Sequence, residues 1–108
     1  MQQLLIKARE LQLLNAATST GAGTEFNTQR ERGWTFFLRC AGGSSGGTLK
    51  IQGQVGGTWF DVHEEVFTGS ADKIVYQNNG QYMALRANLT ARTDGTYSVW
   101  AIGSTYGI

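Results

Sequence analysis

The sequence predicts an all-β protein: an antiparallel β-sandwich or jelly roll of about seven to eight strands with an extended N-terminal arm. Three observations carry this. Short runs of alternating apolar and polar residues recur along the chain, and on a strand such runs present one face to a core and one to water. Turn signals made of Gly, Asn, Asp and Ser separate the runs at intervals of about ten residues. Proline is absent while glycine reaches 15 residues of 108, so breaks between elements fall to glycine and the small polar residues.

Met1 to Asn15 reads two ways. Leu4, Ile6 and Ala8 alternate as in a strand, as do Leu11 and Leu13, whereas Leu4, Ala8 and Leu11 also share a helical face. The β character of the rest favours extended structure. With apolar residues and no hairpin partner, residues 1–23 are expected to form an arm and loop able to exchange onto a neighbouring subunit, and residues 24–108 the sandwich domain. Ala16 to Gly23 is a small, polar loop or loose edge; Thr24 to Thr28 predicts a short strand around Phe26. Gln29 to Gly33 reads as a charged turn, with Arg30, Glu31 and Arg32 at a solvated tip.

Gly33 to Ala41 predicts a strand with Trp34, Phe36, Leu38 and Cys40 on the core face. Phe37 is large and apolar on the other face, so a second layer or a partner is expected to cover it. The GGSSGG run, Gly42 to Gly47, predicts a long flexible loop. Thr48 to Val62 is the clearest hairpin: Leu49, Ile51 and Val55 alternate with Lys50, Gln52 and Gln54, then Gly56-Gly57 supplies a two-residue turn before Thr58 to Val62. A short strand at Glu65-Val66-Phe67, another at Lys73 to Gln77 and a turn at Asn78-Asn79-Gly80 follow. Gln81 to Thr90 predicts a strand with Met83, Leu85, Ala87 and Leu89 inward; Asp94-Gly95 marks a tight turn. In Thr96 to Ile102, Tyr97, Val99 and Ala101 oppose Ser98, Trp100 and Ile102. That strand is apolar on both faces, as a central strand or a subunit-covered one would be.

The chain is long enough for one domain with its own core. Charged residues make up only 16%, against about 25% in typical domains, which fits a protein that packs against partners. The net charge of +1 and the lack of a basic block argue against nucleic acid. No run is long enough to span a membrane, and no N-terminal segment has the form of a signal peptide, so residence in a cytoplasm, or in a particle assembled there, is expected. The single cysteine, Cys40, excludes an internal disulfide and is expected to be buried. The Asn88-Leu89-Thr90 sequon is read as chance without a secretion signal.

Chemistry is sparse. His63 is the only histidine, so any His-dependent catalysis must use it. Its surroundings, Asp61, Glu64 and Glu65, lack zinc-protease spacing, and adjacent Glu64 and Glu65 point to opposite faces of a strand. GGSSGG lacks the Lys and the strand–helix setting of a phosphate loop. The expectation is no enzyme activity, no metal and no cofactor. A sugar-stacking platform would need exposed coplanar rings, with Tyr82, Asn88 and Gln81 as candidates; core or interface packing of the rings is the preferred reading.

Three stretches together resemble a family of small all-β proteins encoded by tailed bacteriophages and prophages: LLNAATSTGAGTEFN at 13–27, TLKIQGQVGGTWFDV at 48–62 and QYMALRANLTARTDGTYSVWA at 81–101. The resemblance covers most of the chain. It implies a virion structural protein and supplies no catalytic residues. Within a virion it implies capsid decoration, or cementing, on the capsid surface, with the major capsid protein as partner and a homo-oligomer, a trimer favoured. A tail or baseplate protein and a receptor- or carbohydrate-binding module are the alternatives. Leu4, Leu5, Ile6, Leu11 and Phe37 are the expected partner-contact residues.

Overall fold

The computed structural model describes residues 7–28, 31, 33–77 and 83–105. Nine strands lie in this part of the chain: β1 (Lys7–Ala17), β2 (Gly21–Ala22), β3 (Phe26–Asn27), β4 (Gly33–Ala41), β5 (Gly47–Val55), β6 (Thr58–Phe67), β7 (Ala71–Gln77), β8 (Ala84–Arg92) and β9 (Thr96–Thr105). They form two antiparallel sheets. Sheet A has the order β1-β9-β4-β7; sheet B has β2-β8-β5-β6, with β3 also on β8. Among the described residues no helix is long and apolar enough to cross a membrane.

The two inner faces make one core, as sandwich packing requires. Trp34, Phe36, Leu38 and Cys40 come from β4, Tyr97, Val99 and Ala101 from β9, Leu49 and Ile51 from β5, and Leu85, Ala87 and Leu89 from β8; all are at most 2% exposed. The alternation expected of β4 and β9 therefore holds, and β9 is central, paired to β1 on one side and β4 on the other. The β5–β6 hairpin also forms as expected. Its turn residues Gly56 and Gly57 have φ of 59° and 79°, the two positive angles that a tight primed turn demands and that side chains resist.

Several expectations change. The strand at Glu65-Val66-Phe67 is not separate: β6 runs unbroken from Thr58 to Phe67. It does so through a bulge, because Ile51 opposes His63 while Gln52 opposes Asp61, leaving Val62 as an extra residue that packs on the core. Met83 is 68% exposed and not in the core, since β8 begins only at Ala84. Glu31 is not at a solvated tip; it is 8% exposed and lies 3.7 Å from the Arg9 guanidinium. Asn78 to Tyr82, Arg30 and Arg32 lie outside the described residues.

The segment from Lys7 onward is a strand of this sandwich. β1 pairs along β9 from Lys7↔Thr105 to Ala17↔Tyr97. A register shift between Gln12 and Leu14 lets two consecutive leucines, Leu13 and Leu14, both enter the core, at 0% and 7% exposure. The chain then crosses to sheet B, where Gly23 donates to the Ala87 carbonyl at 2.8 Å and Thr24 donates to the Leu13 carbonyl at 3.0 Å. The boundary expected between residues 23 and 24 thus falls inside hydrogen-bonded sandwich structure.

Candidate interaction surface

The outer face of sheet A follows from the same alternation that builds the core. Residues between the buried ones point away from sheet B, and several of them are large and apolar. The register places Trp100 opposite Phe37 and Phe37 opposite Ile74, one row across three strands. Thr35 lies between Ile102 and Tyr76 in the next row. Ile74 and Tyr76 are 68% and 64% exposed, and Ile102 is 37%. Together Phe37, Ile74, Trp100 and Ile102 line a shallow groove of about 410 Å³.

Charged residues bound this groove. At the β7 side Arg39 and Asp72, directly opposite each other on β4 and β7, form a two-pronged pair with Nε–Oδ1 at 2.8 Å and Nη2–Oδ2 at 3.2 Å. The Asp72 partner raises the Arg39 pKa, and the Arg39 hydrogen bond lowers that of Asp72. Arg39 also sits 5.8 Å from the Trp100 ring centroid, so it bridges β7 and β9 across β4. At the β1 side lies Glu10.

The outer face of sheet B is polar. Arg86 stacks on Trp59 with its guanidinium carbon 4.2 Å from the ring centroid. Its Nε donates to Gln52 Oε1 at 2.8 Å, Gln52 Nε2 donates to Asp61 Oδ1 at 2.9 Å, and Lys50 Nζ meets Asp61 Oδ2 at 2.9 Å. The Lys50 and Gln52 hydrogen bonds hold the Asp61 carboxyl below the usual range. This chain of contacts ties β6, β5 and β8 together and satisfies Gln52, which is only 9% exposed.

The GGSSGG loop is anchored, in contrast to the flexible loop expected. Asp94 Oδ1 accepts from the Ser45 and Gly46 amides at 3.0 and 2.9 Å, and Oδ2 from the Ser44 amide and hydroxyl at 3.0 Å each. These backbone donors, Gly46 first, push the Asp94 pKa far below the ordinary carboxylate value. Tyr97, fully buried, donates its hydroxyl to the Asp94 carbonyl at 3.0 Å, and burial pushes its pKa up.

Of the expected contact residues, Leu4, Leu5 and Ile6 lie outside the described residues. Leu11 is 4% exposed in the core; its strand pairs with β9, and it shares the inward parity of Leu13. Phe37 is where the sequence placed it, on the outer face of β4 and in the floor of the groove. Trp100 and Ile102 were marked by the two-faced pattern of their strand. Ile74 carried no signal, because every residue of IVY in β7 is apolar and a short run of that kind does not say which face is outer. His63 lies 2.9 Å from Glu65 Oε1, its neighbour two residues along one face of β6. Among the described residues no group of three metal-ligating side chains converges. Of the sugar-platform candidates, Asn88 is part-buried and contacts Gln52 at 3.5 Å, while Tyr82 and Gln81 lie outside the described residues.

No family model matches the chain, and no curated protein matches it in sequence. Solved structures do share its fold. The SPBc2 prophage-derived protein YomS is similar with a TM-score of 0.77 and 14% identity over 97% of this chain and 99% of that one. A chain of the disulfide-linked pili that are Bacillus endospore appendages gives 0.56 and 14% over 98% and 93%. PirA gives 0.52 and 12% over 91% and 93%. At these identities the likeness is one of fold.

Proposed function

We propose that this protein is a structural subunit of a bacteriophage particle, and within that class a capsid decoration (cement) protein that bridges major capsid subunits as a homo-oligomer, a trimer favoured. The observation that carries this reading is the apolar outer face of sheet A. Phe37, Ile74, Trp100 and Ile102 form one contiguous patch on that face, and contiguous apolar patches rimmed by polar groups mark interaction sites. The full-length likeness in fold to a prophage-derived protein and to a pilus subunit supports it. So does the low charged content of 16%. In this role the protein contributes surface and rigidity, and no group in it needs to react.

The test is the copy number of this chain in purified particles, measured by quantitative mass spectrometry against the major capsid protein. A ratio near one, or a simple fraction of it, is the expected result for a lattice-bound decoration protein. A handful of copies per particle would move the protein to the tail or baseplate, and absence from particles would overturn the reading.

A further inference from the structure

We infer that this chain binds a second copy of itself head to tail, the end of the β5–β6 hairpin of one copy seating in the groove on the outer face of sheet A of the next. The inference rests on the proposed role as an assembling subunit and names the occupant of its apolar groove.

The hairpin end is a second apolar surface, separate from the groove. Val55 is 50% exposed, Phe60 56% and Met83 68%. The register brings them together. Phe60 opposes Gly53, Val55 closes the turn opposite Thr58, and Met83 donates its amide to the Gln54 carbonyl at 2.9 Å. Val55 also continues the parity of Leu49 and Ile51, which are fully buried. The inner face of sheet B thus runs on past the core it covers. Residues 54–60 contain no charged side chain, and the Gly56-Gly57 turn makes the tip narrow.

These features match the groove. Phe37, Ile74, Trp100 and Ile102 give it an apolar floor between charged residues, Glu10, Arg39, Asp72 and Lys73, and residues 54–60 bring no further charge of their own into the contact. The two surfaces cannot meet within one chain, because the hairpin belongs to sheet B and the groove faces away from sheet B. A groove-on-groove dimer is disfavoured by the same physics: it would press Glu10 and the Arg39–Asp72 pair of both copies into a shared apolar contact. A contact between two different patches of one chain is heterologous, and it propagates into a ring, such as a trimer, or an open filament.

Complementation between two variants tests this by analytical ultracentrifugation at about 0.1 mM, since a contact built on a few apolar side chains is weak. Wild type is expected to form species larger than a dimer. Phe60→Asp removes the hairpin surface and keeps the groove; Ile74→Asp removes the groove surface and keeps the hairpin. Each alone is expected to be monomeric, the contact weakened by about tenfold or more. Mixed in equal amounts they should form a dimer and nothing larger, one intact hairpin in one intact groove. Val55→Asp should behave as Phe60→Asp does, with unchanged circular dichroism and thermal midpoint, which separates lost contact from lost fold. A monomeric wild type, a Phe60→Asp protein that assembles normally, or a mixture that stays monomeric would each overturn the inference. Particle copy number is an independent readout: lattice-like abundance with a monomeric purified protein overturns only the self-contact, and self-assembly without particle incorporation overturns only the proposed function.

Discussion

The Asp94 carboxylate and the Gly46 amide, 48 positions apart in sequence, meet at 2.9 Å. That bond, with those to Ser44 and Ser45, closes the end of the sandwich where the loops after β4 and β8 converge. The depressed pKa of Asp94 is the same fact in thermodynamic form. Its contribution to stability is fully present above its unfolded value of 3.8 and is lost as pH falls through the lower folded value. Asp61 and Asp72, also depressed, act in the same direction. We therefore expect thermal midpoints that fall with acidification below about pH 4. Asp94→Asn should lower the midpoint at neutral pH and flatten that acid dependence. Calorimetry across pH 2–7 checks both; an unchanged acid limb in the variant would remove Asp94 from the account.

Gly46 is as exacting as its partner. Its φ is 90°, and a Cβ there would run into the Phe67 carbonyl. Gly46→Ala should destabilise by more than the ~1 kcal/mol that the same change can gain at a site whose backbone tolerates alanine, because strain and collision add. Urea unfolding measures it.

Leu13 separates a core strand from a detachable arm. It is fully buried, so Leu13→Ala should cost about 2–5 kcal/mol. A change within about 0.5 kcal/mol, the range for surface positions, would mean that β1 is not part of the core in solution.

Gln52 holds the polar face of sheet B together. Gln52→Leu takes the acceptor from Arg86 Nε, on a side chain 20% exposed, and one donor from Asp61, which keeps Lys50. A loss of about 1–3 kcal/mol is expected from the unmet hydrogen bonds, again read by urea unfolding. Gln52→Glu, which keeps an acceptor for Arg86 but sets a second carboxylate against Asp61, should not rescue it.

His63 tests the absence of chemistry in the proposed role. Its Nε2 meets Glu65 alone among the described residues. His63→Ala should leave particle incorporation and particle stability unchanged; a variant that folds but loses all function would make the structural reading untenable.

Local patterns made much of the fold legible. The bounds and inward face of β4, the hairpin with its Gly-Gly turn and the two-faced β9 all follow from alternation within one strand, and Phe37 stood out because it broke that alternation. What stayed hidden was non-local. The bulges at Leu13 and Val62 insert one residue and so shift parity, which a period of two cannot register. Glu31 sits in a charged run that reads as a tip until Arg9, from another strand, comes alongside. The GGSSGG loop has the composition of a flexible linker, and only a carboxylate from the far side of the sequence fixes it. Leu11, expected as a partner contact, owes its burial to pairing with β9, a strand far away in sequence.

That pairing of β1 with β9 also governs when the molecule can finish folding. As the chain leaves the ribosome, β5, β6 and β8 can come together early, since they are near neighbours in sequence. β1 cannot, because Leu11, Leu13 and Leu14 emerge long before Tyr97, Val99 and Ala101, on which they pack. Sheet A closes only after β9 has been synthesised, and joining the ends of so long a loop is slow. Until then the apolar face of β1 is open to chaperones or to mispairing between nascent chains. Yield in the host should therefore depend on growth temperature and chaperone supply more than the modest size of the domain implies.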